Sequence, residues 1–254
     1  MTTMEQEEPT PRQPAGQSPA RRQHGPGPAG VAAARCISRL QRGYRQDNPA
    51  AVADLARLRR GAGQTAHTVQ DHWGLGGLEE LGEALAESST RVRREHAEEA
   101  VYLAVTLWAL HQQSVRDGDM HRTGATLGGA VRTLIRKQTE EKPGSDDAEN
   151  EPLRKRLVRV GTADSIASVA VRLREIVLLL RGGQVPLDYG RLADQLCRWQ
   201  TPSERAAVRR EWGREFHLAA PRRRSTARKG DDGSDAIDPS LSSGSTDDDH
   251  GPGD

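Results

Sequence analysis

From Val31 to Tyr44 the apolar positions Ala33, Ile37, Leu40 and Tyr44 recur every three or four residues, the repeat of an amphipathic helix. Arg35, Arg39 and Arg42 form a second stripe on the same helix. Asp47-Asn48-Pro49 reads as an N-cap followed by proline in the first helical turn. The helix it opens carries Val52, Leu55, Ala56 and Leu58, ends on Arg57, Arg59 and Arg60, and stops at Gly61. Gly61, Gly63, Gly74, Gly76 and Gly77 then break any long element before residue 78. Leu78, Leu81 and Leu85 predict a short helix, and Arg91 to Gln113 a long buried one. In the latter, Val101, Ala104, Val105 and Trp108 mark one face, and Leu103, Leu107 and Leu110 a neighbouring one.

The second half continues in the same period. Thr126 to Lys137 turns Leu127, Val131, Leu134 and Ile135 inward. Gln138 to Pro152 is polar and acidic and contains Pro143-Gly144, so a domain boundary is placed at 140–152. Leu153 to Val160 reads as a short helix. Asp164 or Ser165 caps the next, which runs to Arg181 with Ile166, Val169, Leu173, Ile176, Val177 and Leu180 on one face. Gly182-Gly183 ends it, and Leu187–Trp199 and Pro202–Phe216 make two more helices. No segment has the period of a strand. The expected fold is all-α: two small helical bundles in series, 31–139 and 153–218.

Composition sharpens this picture at the ends. Residues 1–30 are rich in Pro, Gly, Gln and charge, and 219–254 hold almost no large apolar side chain, so both are expected to be disordered tails. One Phe, three Tyr and four Trp in 254 residues disfavour sheet, whereas Ala, Leu, Arg and Glu favour helix. Cys36 and Cys197 fit apolar helix faces and make no disulfide framework or metal site. There is no apolar secretory h-region, and Ile176–Leu180 is far too short to span a bilayer, which predicts a soluble cytoplasmic protein with no membrane contact.

Catalytic patterns are poor. Gly124-Ala-Thr-Leu-Gly128-Gly129 lacks the Gly-Lys-Ser/Thr ending of a phosphate loop and follows no strand, so close helix packing is the better reading. His67, Asp71 and His72 are a polar loop rather than a metal site, because histidines five apart do not share a helix face. His96 and His111 flank the apolar part of their helix and read as interfacial. No Ser, His and acid show nucleophile spacing. The expectation is therefore no enzyme, no metal and no cofactor.

Charge is more informative. The net charge is only +1, but between Val31 and Leu218 there are 29 Lys+Arg against 25 Asp+Glu, and the acids cluster in Glu79–Glu87 and Glu140–Glu151. Arg132, Arg136 and Lys137 lie about one turn apart. Arg154, Lys155, Arg156 and Arg159 crowd an eight-residue helix with no acid inside it. Arg172 and Arg174 bracket Leu173, with Arg172 placed to pair with Glu175. Like charges this close repel unless an anion lies between them. Arginine pairs bidentately with phosphate. Trp108, Trp199 and Trp212 all fit apolar faces, which points to contact with a nucleic-acid backbone rather than its bases. The acidic C-terminal end either folds back on Arg222–Arg224 or competes for a basic groove, or is an inert solubilising tail.

An ordered set of segments resembles the CasB family, the small subunit of the type I-E CRISPR Cascade complex. It comprises Ala56-Arg-Leu-Arg-Arg60, Thr106-Leu-Trp-Ala-Leu-His111, Gly124-Ala-Thr-Leu-Gly128, Leu157-Val-Arg159, Val171-Arg-Leu-Arg174, Val185-Pro-Leu-Asp-Tyr189, Leu192-Ala-Asp-Gln-Leu-Cys-Arg-Trp199 and Trp212-Gly-Arg-Glu-Phe216. The resemblance covers about residues 31 to 218. It implies an all-helical, non-enzymatic subunit, two copies of which form the belly of the assembly beside the backbone and large subunits. It implies further that basic residues line a groove facing the guide RNA–target DNA duplex and the displaced strand. The matching positions are Arg59, Arg60, Arg159, Arg174 and, at the entry to the long helix, Arg93 or Arg94. The alternatives are a free-standing helical DNA-binding regulator and a structural adaptor without nucleic acid. Basic residues spread over at least four helices favour a long groove over a single recognition helix.

Overall fold

The computed structural model describes residues 25–66, 76–141 and 147–218. They form nine α-helices: α1 Pro28–Arg45, α2 Pro49–Leu58, α3 Leu78–Glu87, α4 Arg94–Gln112, α5 Leu127–Glu141, α6 Asp147–Gly161, α7 Ile166–Gly182, α8 Tyr189–Trp199 and α9 Pro202–Leu218. A 3-10 turn, Arg59–Gly61, follows α2. The described residues contain no strand, only an isolated bridge between His121 and Leu187. The fold is all-α, as the periodicity predicts. The chain divides into Met1–Ala219, which holds every one of these helices, and Ala220–Asp254, which lies outside the described residues. Most of the N-terminal tail, the C-terminal tail from residue 219, and His67, Asp71 and His72 lie outside them as well.

Local chemistry sets several helix ends. Asn48 Oδ1 accepts from the N–H groups of Ala50 (3.0 Å) and Ala51 (3.3 Å), with Pro49 at the first turn of α2. Of the two candidate caps for α7 it is Ser165 that serves, its Oγ accepting from Ser168 N at 3.1 Å. Two boundaries differ from the sequence reading. α1 starts at Pro28, inside the expected tail, because its first-turn N–H groups find a partner distant in sequence. α6 starts at Asp147, so much of the expected 140–152 link is helix. Pro152 lies within α6, and a proline read as a stop hid the turn before it.

The two expected bundles are one body. A single apolar cluster runs from Ala29 of α1 to Trp212 of α9. α4 is its axis, buried on all sides and packed against α1, α2, α7 and α8, while α5 lies against α9. Two contacts join the chain's halves. On α8, Asp194 accepts from Gly27 N and Gly30 N at 2.7 Å each, capping α1 across more than 160 residues. A Cβ on Gly30 would lie 2.8 Å from the Gly190 carbonyl, so only glycine lets the helices approach this closely. Likewise a Cβ on Gly128 would run into the backbone of Trp212 and Phe216, which makes the close helix packing expected of that glycine-rich run a feature of α5 against α9.

A buried polar network stitches α1, α4 and α8 together. Gln41 Oε1 accepts from Trp108 Nε1 (3.2 Å) and from the backbone N–H of His121 (3.1 Å). The Tyr189 N–H donates to His121 Nδ1 (3.2 Å), and the Tyr189 hydroxyl bonds His111 Nδ1 (2.8 Å). His111 is therefore core rather than interfacial, and burial pulls its pKa down to about 4. Cys36 and Cys197 are free and buried, and desolvation pushes their thiols up to about 12 and about 11.

Burial raises the Asp194 pKa, against the pull of the two glycine N–H groups and Arg198. Replacing Asp194 with Ala removes a helix cap and strands two amides, so we expect a loss of about 2–3 kcal/mol. For a body of this size that lowers the thermal midpoint by about 4–12 °C, readable by circular dichroism. A midpoint equal to that of the wild type would mean that the cap contributes nothing.

Candidate nucleic-acid interface

A basic side chain is fully free to hold a phosphate only if no protein group already holds it, and one bonded to carbonyls alone keeps its charge and its spare donors. Many of the arginines are held. The stripe on α1 faces the acids of α3: Arg35 pairs with Glu87 at 2.9 Å and Glu83 at 3.7 Å, and Arg39 with Glu80 at 2.7 Å. Arg45 pairs with Asp119 at 3.0 Å, and Arg116 with Asp47. Arg191 reaches Glu211 and Glu215, and Arg198 reaches Glu211 at 2.7 Å. Burial pushes Glu211 up, yet Arg198 and Arg191 hold its carboxyl below the ordinary range.

The Arg132–Arg136–Lys137 cluster is engaged in the same way. Arg132 Nη1 donates to the carbonyls of Phe216 (3.1 Å) and His217 (2.8 Å) at the end of α9. Lys137 Nζ donates to Gly183 O just beyond α7 (2.9 Å). Both place a cation on the negative end of a helix. Arg136 pairs with Glu140 one turn on, at 3.6 Å. On α6, Lys155 pairs with Glu151 at 3.8 Å, an acid that the early start of α6 brings into the helix. Arg154 lies over the Phe216 ring, 5.7 Å from its centroid. Arg172 does not pair with Glu175; its Nη1 donates to Arg159 O instead.

What remains is a set of exposed or half-exposed arginines. Among the described residues Arg59, Arg93, Arg94, Arg156, Arg159 and Arg174 make no ion pair or side-chain hydrogen bond, and Arg60 bonds only Ala56 O of its own helix, at 3.5 Å. The fold gathers several of them. Gly61 seats the 3-10 turn on α4, where a Cβ would meet the Tyr102 hydroxyl. Gly63 follows with φ +85°, and a Cβ there would lie 2.7 Å from Arg174 Cδ. The Arg174 stem thus lies over the turn carrying Arg59 and Arg60, residues from far apart in sequence. Arg94 opens α4 two turns before Tyr102, about 12 Å along the axis. On the other side of α7, the Arg172 bond ties in the end of α6, where Arg156 and Arg159 lie.

Unpaired cations on adjacent elements repel one another, and an anion relieves that repulsion. Trp108, Trp199 and Trp212, the tryptophans among the described residues, are buried and offer no exposed face for base stacking. Such a surface suits phosphate oxygens rather than base edges. Among the described residues no group of His, Cys, Asp or Glu is placed to hold a metal, and no helix is long and apolar enough to cross a membrane. The sequence reading passed over α9. There Arg210 and Arg214 are exposed with no partner among the described residues, and Arg205 and Arg209 reach the α6–α7 corner. The Arg209-Arg210 pair with Arg214 one turn on was the available signal.

Comparison with known proteins gives a consistent result. Residues 54–217 match the family model described as CRISPR-associated protein Cse2. A curated relative from Thermus thermophilus, CRISPR-associated protein Cse2, is 36% identical over 126 residues, which is 50% of this chain and 60% of the relative. The matched stretch thus spans less than two thirds of that relative's length. The crystal structure of CasB from Thermobifida fusca superposes with a TM-score of 0.63 at 43% identity, over 76% of this chain and 99% of that one. A chain of a CRISPR RNA-guided surveillance complex shares the fold at 24% identity, with a TM-score of 0.50 over 75% of this chain and 94% of that one.

The division between held and unheld arginines is open to test. The isolated protein is expected to bind single-stranded nucleic acid weakly and without sequence preference, with log K falling by about 0.7 per log of salt for each phosphate neutralised. Replacing Arg59 and Arg174 with Ala should flatten that slope. Replacing Arg35 and Arg39, already neutralised by α3, should leave it unchanged. The reverse pattern in fluorescence anisotropy titrations would place the contact on the wrong face.

Proposed function

This chain belongs to the CRISPR-associated Cse2 family, and from that premise we propose that it is a non-catalytic small subunit of a type I-E Cascade surveillance complex that stabilises the opened target in antiviral defence. Its partners are then the backbone and large subunits, the guide RNA, the target DNA, the displaced strand and a second copy of itself. The observation that carries this reading is the partition of the arginines. Arg59, Arg159, Arg174 and Arg93 or Arg94, which the family resemblance points to, all fall among the arginines without a side-chain partner among the described residues, a set that also includes Arg42, Arg91, Arg122, Arg156, Arg210 and Arg214. Arg60 belongs with them, since its single bond is to its own helix. We assign backbone contact to these residues and to Arg156, with Arg154 beside them. Arg132, Arg136, Lys137, Lys155 and Arg172 reach nucleic acid only with the donors that their protein partners leave unused.

The mechanism needs no chemistry. Exchange of a DNA duplex for a guide RNA–DNA hybrid is nearly balanced in free energy, so modest contacts with the strands tip it. An exposed arginine–phosphate contact contributes about 0.5–1 kcal/mol. Four of them removed together therefore weaken the hold on the opened target by roughly 30- to 900-fold.

The test is to replace Arg59, Arg60, Arg159 and Arg174 with Ala in the assembled complex and measure its dissociation from two targets. One is a matched duplex, the other a target without the displaced strand. A large defect on the duplex and a small one on the second target assigns these arginines to the displaced strand. An equal loss on both assigns them to the guide–target hybrid. Wild-type dissociation from both targets would sink the proposal.

A further inference from the structure

The corner between α6 and α7, residues 159–165, collects arginines from three helices. Arg172 of α7 donates to the Arg159 carbonyl. Arg209 of α9 donates through Nη2 to the Ala163 carbonyl at 3.1 Å, and its Cγ lies 3.9 Å from where a Gly161 Cβ would sit. Arg205 of α9 donates through Nη1 to the Asp164 carbonyl at 3.4 Å and through Nε to Trp199 O at 3.1 Å, its guanidinium 4.5 Å over the Trp199 ring. Three guanidinium groups thus bond backbone carbonyls between residues 159 and 164, the stretch of chain from which the exposed Arg159 side chain itself rises. None of the four has a carboxylate partner among the described residues, and Asp164 makes no ion pair there.

Neutral carbonyls orient these groups but do not cancel their charge. By contrast, Arg191 and Arg198 of α8 converge on an acid, Glu211. A guanidinium carries five N–H donors, and Arg172 and Arg209 each commit one here and Arg205 two, so most stay available. The carbonyl bonds also fix rotamers, which lowers the entropy lost when an anion arrives. The Trp199 ring is buried beneath Arg205 and gives a base no aromatic face at the corner.

We propose that the α6–α7 corner is a preorganised phosphate-binding site, built from Arg159 and Arg172 together with Arg205 and Arg209 of α9, that holds a phosphodiester of a bound nucleic-acid strand. It rests on the nucleic-acid reading above and extends the strand's path from the turn carrying Arg59 and Arg60, across α7, to α9. Arg205 and Arg209 are the new contacts. Their donation to the corner carbonyls is how they are aimed.

The experiment is titration of the full-length protein with labelled oligothymidylate at several chloride concentrations, followed by anisotropy. The double variant Arg205→Gln/Arg209→Gln keeps amide donors for the carbonyls and loses both charges. We expect about tenfold weaker binding and a salt slope reduced by about 1.4, with unchanged circular dichroism. Arg205→Lys/Arg209→Lys keeps the charges and should bind within a few-fold of wild type. If the lysine variant loses as much as the glutamine variant, the corner acts by packing alone and the proposal fails. Inorganic phosphate at matched ionic strength should compete only weakly; full displacement by it would make this a small-anion site and overturn the polynucleotide assignment. Arg59→Ala/Arg60→Ala/Arg174→Ala, titrated in parallel, separates the two readings. Wild-type binding by the glutamine variant with loss in the alanine variant sinks the corner alone, and wild-type binding by both sinks the nucleic-acid reading with it.

Discussion

The joining of this chain's two halves turns on a carboxylate at the foot of its first helix. α1 begins with glycine and proline, neither of which can cap it, and its orphan N–H groups bond Asp194 of α8. That contact requires α1 and α8 to approach at Gly30 and Gly190, where neither tolerates a side chain easily. Once they meet, α4 is enclosed between the two halves of the chain, and its glutamine, histidine and threonine side chains must find partners inside. Thr106 Oγ1 bonds back to Tyr102 O at 2.9 Å, Gln112 Nε2 bonds Val115 O, and His111 bonds Tyr189. The first two satisfy α4 locally, whereas His111–Tyr189, with Gln41–Trp108, ties α4 to α8 and α1 and fixes a register that apolar packing alone would leave free to slide.

The same body decides what each arginine does. Where an acid or a helix end lies opposite, the cation is consumed as a structural contact: Arg39 on Glu80, Arg132 on the last carbonyls of α9, Lys137 beyond α7. Exposed pairs of this kind contribute little stability individually. Their larger effect is to leave, among the described residues, most of the unscreened positive surface at the Arg59–Gly61 turn, the start of α4, the exposed side of α6 and α7, and α9, with Arg42 and Arg122 apart from these. A Cse2-family protein with net charge +1 can in this way present a concentrated field without being basic overall.

Much of the architecture is legible in the sequence because it is local. Apolar residues at helical spacing place eight of the helices to within a few residues, and Asn48, Ser165 and the glycines after α2 and α7 signal their ends within a turn. Burial of Trp108, Trp199 and Trp212 and the close packing at Gly128 follow from the same pattern. α6 is the exception, because Pro152 conceals the turn that carries Glu151 and so hides an acid within reach of Lys155.

The sequence by itself determined that this chain is helical, arginine-rich and similar to a family of nucleic-acid-guided assemblies, since each of these is written in spacing, composition or ordered segments. Only the tertiary structure decided that the helices make one body and not two, because the Asp194 cap and the Gly30–Gly190 approach join residues more than 150 apart. It decided too which arginines are occupied and which are open. What occupies an arginine is set by what lies within 4 Å, and for Arg35, Arg132 and Arg209 that partner is far away along the chain. No periodicity in the sequence encodes such a distance.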